Sequence, residues 1–217
     1  MLDLSNYTGG PLLALDGELP SYATLRDLVD AHSPIVAADG AALQLRREEI
    51  RPDIIVGDLD TIGEAVSDSF FNDVRIVRDE SREEYDGGKA LRTLIDEGHD
   101  RVTVIGAGGG MIDHVLNNFS LFARVADRLR IRVVDDRCIG YIVAGDTLTI
   151  PTGEDERISL IPLPTARIGT TGLFWELEGQ LLSIGHAEGA SNRAVGDQVV
   201  VRVDEGRIVL FHYAEAG

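Results

Sequence analysis

The sequence predicts an α/β domain built on a parallel sheet, followed by an all-β domain. Three observations predict it. Over the first two thirds of the 217 residues, short continuous apolar runs alternate with segments of helical spacing, the pattern of parallel strands covered on both faces. Several of those runs stop at an Asp or a Gly. Beyond about residue 138 the chain becomes a series of β-rich runs cut by Gly, Pro, Asp and Glu, as in a sandwich or barrel.

Taken in order, PLLALDG (11–17) is an apolar run ending in Asp-Gly, and Leu25, Leu28 and Val29 recur at helical spacing. PIVAADGA (34–41) is a second strand, AALQLRRE a short helix, PDIIVGDLD (52–60) a third strand and VRIVRD (74–79) a fourth. Within 85–98, Ala90, Leu91, Leu94 and Ile95 share one side of a helix. RVTVIGAGGG (101–110) reads as a strand and a glycine loop, 111–128 as a long helix and IRVVDD (131–136) as a strand. The domains are expected to be 1–137 and 138–217, with hairpin turns at Glu178-Gly179 and Glu205-Gly206. Sheets of this kind bind ligands outside the carboxyl ends of their strands. Asp16, Asp39, Asp58, Asp60, Asp79 and the glycines of 106–110 all follow a strand, so the acids are expected to converge on one edge.

Bulk properties exclude several partners. A formal charge of −17 repels nucleic acid and anionic membranes, and a polyphosphate ligand would need a divalent cation or local basic groups. No apolar run approaches the ~20 residues that span a bilayer. MLDLSNYTGG lacks the basic and apolar segments of a secretory leader, and Cys138 is the only cysteine, so no internal disulfide or cysteine zinc site is expected. Cytoplasmic residence follows as the expectation.

Four segments carry chemistry. On an extended strand Asp58 and Asp60 would point to the same side and could share a Mg²⁺, a hard ion that takes oxygen ligands; the plainer reading is a solvated turn. GAGGG (106–110) opens a helix, where backbone N–H groups favour anions; it lacks the spacing of a dinucleotide fingerprint and the Lys of a P-loop. Asp113 and Asn117, like His114 and Asn118, are four apart and share a helix face. Asp86 and Lys89 are three apart, with a surface ion pair as the plainer reading. In the β-rich region the only tryptophan, Trp175, would ordinarily be core, and Ser191-Asn192 a turn.

Taken together, AADGA, PDIIVGDLDT, Asp-x-x-Lys-Ala-Leu at 86–91, the glycine loop leading to Asp113-His114, SLIPLP, TTGLFWEL and the late Ser-Asn resemble the thiamine pyrophosphokinase family in order across nearly the whole chain. The resemblance implies an N-terminal parallel-sheet, Rossmann-like α/β domain that binds ATP and Mg²⁺. It implies a C-terminal β-sandwich that binds thiamine and forms a homodimer with sites at the subunit interface. The implied reaction moves the β,γ-diphosphate of ATP to the hydroxyethyl group of thiamine. By motif, Asp58, Asp60 and Asp86 would be catalytic and hold the metal. Asp39, Lys89, Gly108, Gly109 and Gly110 would face ATP, and Arg82, itself a departure from the family pattern, could add charge from across the pocket. Trp175, Ser191, Asn192 and Asp113 would face thiamine.

The chain departs from that pattern around the substrate. Arg82, Glu83, Tyr85 and Gly87 stand where the family has Gln, Asp, Thr and Phe, and Met111 stands where it has an arginine; methionine cannot bond an anion. These changes leave room for a diphosphokinase of another alcohol, such as a hydroxymethyl pterin, or for a thiamine-binding paralogue without turnover. A phosphatase of the haloacid dehalogenase type fits less well. That family carries its Asp-x-Asp after the first strand and has a glycine before the threonine.

Overall fold

The computed structural model describes residues 2–187 and 189–213. The fold is mixed α/β and forms two compact units. One comprises Gly9–Leu121 with Val134–Asp136; the other gathers Met1–Thr8, Phe122–Val133 and Arg137–Gly217.

In the first unit, β1 (Leu12–Ala14), β2 (Ile35–Ala38), β3 (Ile54–Gly57), β4 (Arg75–Arg78) and β5 (Arg101–Ile105) form a sheet in the order β5-β1-β2-β3-β4. Every neighbouring pair is parallel. The strands β1, β2 and β3 are buried at every position, which is why they read as unbroken apolar runs. At the edge, β4 carries exposed Arg75 and Arg78, charges that discourage edge-to-edge pairing. The intervening helices are α1 (Tyr22–Ala31), α2 (Ala41–Arg47) and α3 (Asp86–Asp96); the last buries Gly88, Lys89, Ala90, Leu91 and Leu94. The start of α1 is tied down by Asp136, whose carboxylate accepts the Ser21 N–H at 2.7 Å and the Thr24 hydroxyl at 3.0 Å. After β5 come α4 (Ile112–Val125) and β6 (Arg130–Val134).

The second unit is antiparallel. It contains β7 (Ile139–Ala144), β8 (Thr147–Pro151), β9 (Arg157–Thr171), β10 (Gln180–Ser183), β11 (Gly189–Arg193) and β12 (Gln198–Tyr213). The two long strands organise it: β12 pairs with β7, β8 and β9, and β9 also pairs with β10 and β11. Its core joins Val143, Leu160, Ile168, Val201 and Leu210 to Tyr7, whose buried hydroxyl donates to the Ile142 carbonyl at 3.0 Å. Glu205-Gly206, expected as a hairpin turn, lies inside β12, where the register against β9 shifts. Gly206 has φ +77, and a Cβ there would come within 2.1 Å of the Thr165 carbonyl oxygen. The glycine therefore marks a bulge in one continuous strand.

Candidate active site

The acids do collect where β2 and β3 end. Asp39 follows β2 and is 1% exposed; its two carboxylate oxygens accept the backbone N–H groups of Thr61 and Ile62, each at 3.0 Å. That carboxylate ties the end of β2 to the turn after β3. Asp58 and Asp60 do not share a side by strand alternation, as expected, because β3 stops at Gly57 and Leu59 has φ +67. A tight turn brings them together instead: Asp58 Oδ1 accepts the Asp60 N–H at 3.1 Å, and Asp60 Oδ1 accepts the Thr61 hydroxyl at 3.0 Å. One oxygen from each of Asp39, Asp58 and Asp60 lies within 4.8 Å of the others. Like charges this close repel, and a hard divalent cation with oxygen ligands would relieve the repulsion, so the donor set fits Mg²⁺.

Gly57 is the hinge of this arrangement. A Cβ there would stand 2.9 Å from Asp39 Cβ and 3.1 Å from the Asp86 carboxyl, so only a residue without a side chain lets both acids close in. Asp86 opens α3 and is bonded by Lys89 Nζ at 2.8 Å. Of the acids expected around the metal, Asp39, Asp58 and Asp60 form the oxygen cluster, and Asp86 is bonded by lysine. The plainer reading of a surface pair fails, since Lys89 is 2% exposed. Burial pushes the Asp86 carboxyl above the ordinary carboxylate range, against the pull of Lys89, and the charges of Asp58 and Asp39 add to the rise. Burial works against the Lys89 charge, but its bond to Asp86 and the nearby carboxylates hold its pKa above the usual lysine value.

These residues border a cavity of about 310 Å³ whose lining includes Asp16, Asp39, Thr61, Tyr85, Asp86, Gly109, Gly110, Met111, His114, Asn117 and Asn118. The glycine loop is built by backbone contact. The Gly17 and Glu18 N–H groups donate to the carbonyls of Gly106 at 2.9 Å and Gly108 at 2.8 Å, and a Cβ on Gly17 would come within 2.1 Å of the Gly108 oxygen. Asn118 Nδ2 ties α4 to the same loop through the Ala107 carbonyl at 3.0 Å. Of the residues expected to face ATP, Gly109 and Gly110 line the cavity and Gly108 does not. Arg82 is exposed and stands outside the lining. So does Asp113, exposed on α4, although His114 and Asn117, the latter on the same helix face, line the cavity. Among the described residues, no lysine or arginine lines the cavity. The sequence reading noted Asp16 only as a strand end, Tyr85 only as a departure, and missed Thr61. Asp16, in the Asp-Gly that ends β1, carried the same signal as Asp39.

In the antiparallel unit Trp175 is 59% exposed, against the ordinary expectation of a core tryptophan. Its backbone is clamped by Asn192, which accepts the Trp175 N–H at 3.1 Å and donates to the Trp175 carbonyl at 2.8 Å. Asn192 is 5% exposed and sits in β11, so it is a buried bracket and not a turn residue. Ser191, at φ +60, accepts from Arg157 at 2.5 Å. Phe174 packs edge-on against Trp175 with centroids 4.9 Å apart, and the Arg193 guanidinium lies 4.1 Å from the Phe174 ring centroid.

The thiamin pyrophosphokinase catalytic-domain model matches residues 25–134, and the thiamin pyrophosphokinase vitamin B1 binding-domain model matches residues 147–208. The chain belongs to the thiamin pyrophosphokinase family. Among family relatives, thiamine pyrophosphokinase 1 of Oryza sativa subsp. japonica is 27% identical, the match covering 91% of this chain and 84% of the relative. Thiamine pyrophosphokinase 1 of Arabidopsis thaliana is 29% identical over 73% of this chain and 64% of its own. The family fold is shared with the crystal structure of thiamine pyrophosphokinase from Bacillus subtilis, at TM-score 0.79, 20% identity and coverage of 95% and 99% of the two chains. The Candida albicans structure matches at TM-score 0.79 and 17% identity, covering 95% of this chain and 89% of that one.

Proposed function

We propose that this family member is a thiamine diphosphokinase that transfers the β,γ-diphosphate of ATP to thiamine. The thiamine hydroxyl oxygen forms the new bond to Pβ, the bond from Pβ to the α-phosphate oxygen breaks, and AMP leaves with that oxygen. The observation that carries the reading is the cluster of Asp39, Asp58 and Asp60 oxygens within 4.8 Å of one another, beside the Asp86–Lys89 pair and within the family's catalytic region.

In this reading Asp58, Asp60 and Asp86, with Asp39, would hold Mg²⁺. When bound, Mg²⁺ would offset charge on the transferring group and orient it. Asp86, whose pKa burial raises, would orient the thiamine hydroxyl or take its proton, and Lys89 would fix its carboxylate. Arg82 stands outside the cavity, so phosphate charge falls to the cation and to the N–H groups of the glycine loop. Trp175 supplies the aromatic face for the thiamine cation, Asn192 fixes its backbone, and Ser191 and Asp113 complete the thiamine side. The same reading makes residues 1–137 a Rossmann-like ATP- and Mg²⁺-binding domain and 138–217 a β-sandwich for thiamine binding and dimerisation, in a cytoplasmic homodimer. No described helix is long and apolar enough to cross a membrane.

The test is AMP release from purified protein with thiamine, ATP and Mg²⁺. Wild type is expected to form AMP and thiamine diphosphate in equal amounts, and Asp58→Asn to lose on the order of 10²-fold or more of that rate. A second reading, thiamine binding without turnover, is favoured by Met111 in the cavity wall where the family pattern has an arginine. It predicts a thiamine-dependent rise in melting temperature with no AMP.

A further inference from the structure

We propose that the Tyr85 ring is a binding face for the flat heteroaromatic ring of a substrate, a role that rests on the diphosphotransferase reading above. Tyr85 immediately precedes Asp86 in extended backbone, at φ −68 and ψ 157. Its carbonyl accepts the N–H groups of Gly88 at 2.8 Å and Lys89 at 3.0 Å. Its backbone is therefore fixed by the first turn of the helix that carries Asp86 and Lys89. The side chain is 60% exposed, yet it lines the concave cavity and not the outer surface alone. It meets His114 edge to face, with centroids 5.9 Å apart and planes at 65°. Whichever ring lends its face to that contact, Tyr85 keeps at least one face clear of His114.

The cavity thus has two characters. Its lining includes aromatic and apolar groups from Tyr85, His114, Met111 and Val115, and polar ones from Asp16, Asp39, Asp86 and the glycines. A ligand that suits both carries a flat π system at one end and a phosphate, with its cation, at the other. Stacking on an aromatic face tolerates any such ring, and both substrates of the reaction carry one: the purine of ATP and the pyrimidine of thiamine.

The experiment compares wild type with Tyr85→Ala, Tyr85→Leu and Tyr85→Phe in AMP release, varying ATP and thiamine separately with Mg²⁺. Equilibrium binding of ATP and of thiamine is measured by calorimetry on the same proteins. Loss of the ring is expected to raise KM and Kd for one substrate ~10-fold while kcat changes little, with Tyr85→Phe near wild type. The substrate affected identifies the ring that stacks. Unchanged KM and Kd for both substrates in Tyr85→Ala and Tyr85→Leu would overturn the proposal. So would a loss in Tyr85→Phe as large as in Tyr85→Ala, since the hydroxyl would then be the contact. If wild type forms no AMP, the transferase reading fails by itself. The calorimetric arm then still decides: tighter binding of either compound by wild type than by Tyr85→Ala supports the stacking face, and equal or absent binding overturns it.

Discussion

The cavity of the parallel unit and the Trp175 ledge of the antiparallel unit are assembled in opposite ways. Around the cavity, backbone does the positioning: strands end, glycines let chains touch, and short carboxylates sit where the turns leave them. Asp39 spends both oxygens on the neighbouring turn, and Gly57 and Gly17 leave no room for a side chain. At the ledge, one buried side chain does the positioning. Asn192 brackets the Trp175 peptide from both sides and presents a large ring to solvent. The lesson is that the cavity should be brittle to backbone changes, while the ledge should separate stability from binding cleanly.

The comparison breaks most visibly at Gly17. A methyl group there meets two carbonyl oxygens, at 2.1 and 2.4 Å, so Gly17→Ala should cost roughly 3 kcal/mol or more in denaturant unfolding; a near-neutral result would mean that the glycine loop is not held by this contact. Asp39→Asn comes next. An amide carbonyl cannot replace both carboxylate oxygens, so a buried N–H is left unpaired at a cost of ~1–3 kcal/mol. Asp58→Asn, by contrast, should abolish AMP formation at nearly unchanged stability, because Asp58 is only half-buried and accepts a bond from its own turn.

The ledge sharpens the contrast. Trp175→Ala should weaken thiamine binding ~10-fold with little change in melting temperature, because the ring is 59% exposed. Asn192→Ala should lose both, because it unpairs the Trp175 backbone within a buried setting; calorimetry and thermal unfolding on the two variants separate the effects.

The smallest effect concerns pH. Glu156 meets His212 at 2.7 Å. Burial alone would raise the Glu156 carboxyl, but the bonds from His212 and the Gly153 backbone hold it below its ordinary value. A carboxyl depressed on folding contributes stability above its unfolded pKa, and that contribution is lost as pH falls through the folded one. His212→Ala should therefore cost about 0.5–1 kcal/mol near neutrality, with the difference from wild type shrinking as the solution is acidified through the carboxylate range. A constant difference at all pH values would assign the loss to packing alone.

Much of this was legible in the chain. The apolar runs at 11–14, 35–38 and 54–57 became buried parallel strands because a strand covered on both faces has no polar side to hide. The Asp and Gly residues after them marked strand ends, and strand ends are where such sheets present ligands. Periodicity could not reveal that Leu59 turns left-handed, because it reports which side a residue faces in regular structure and nothing about a turn. Nor could it reveal that Glu205-Gly206 is a bulge: a Gly pair reads alike whether the strand reverses or merely kinks. Asp113 was carried over by motif and Arg82 was offered as a substitute charge, and neither order along the chain nor charge records which groups line the cavity.

The sequence by itself carried the family resemblance in its motifs, and it determined the strand-by-strand order and the acids that gather at the strand ends, because those two follow from hydrophobic period and local turn chemistry. Only the tertiary structure decided that Asp39 joins Asp58 and Asp60 while Asp86 pairs with a buried Lys89, and that Tyr85 enters the cavity while Trp175 stays exposed. Those outcomes depend on distances between segments far apart in the chain, which packing sets and no local pattern encodes.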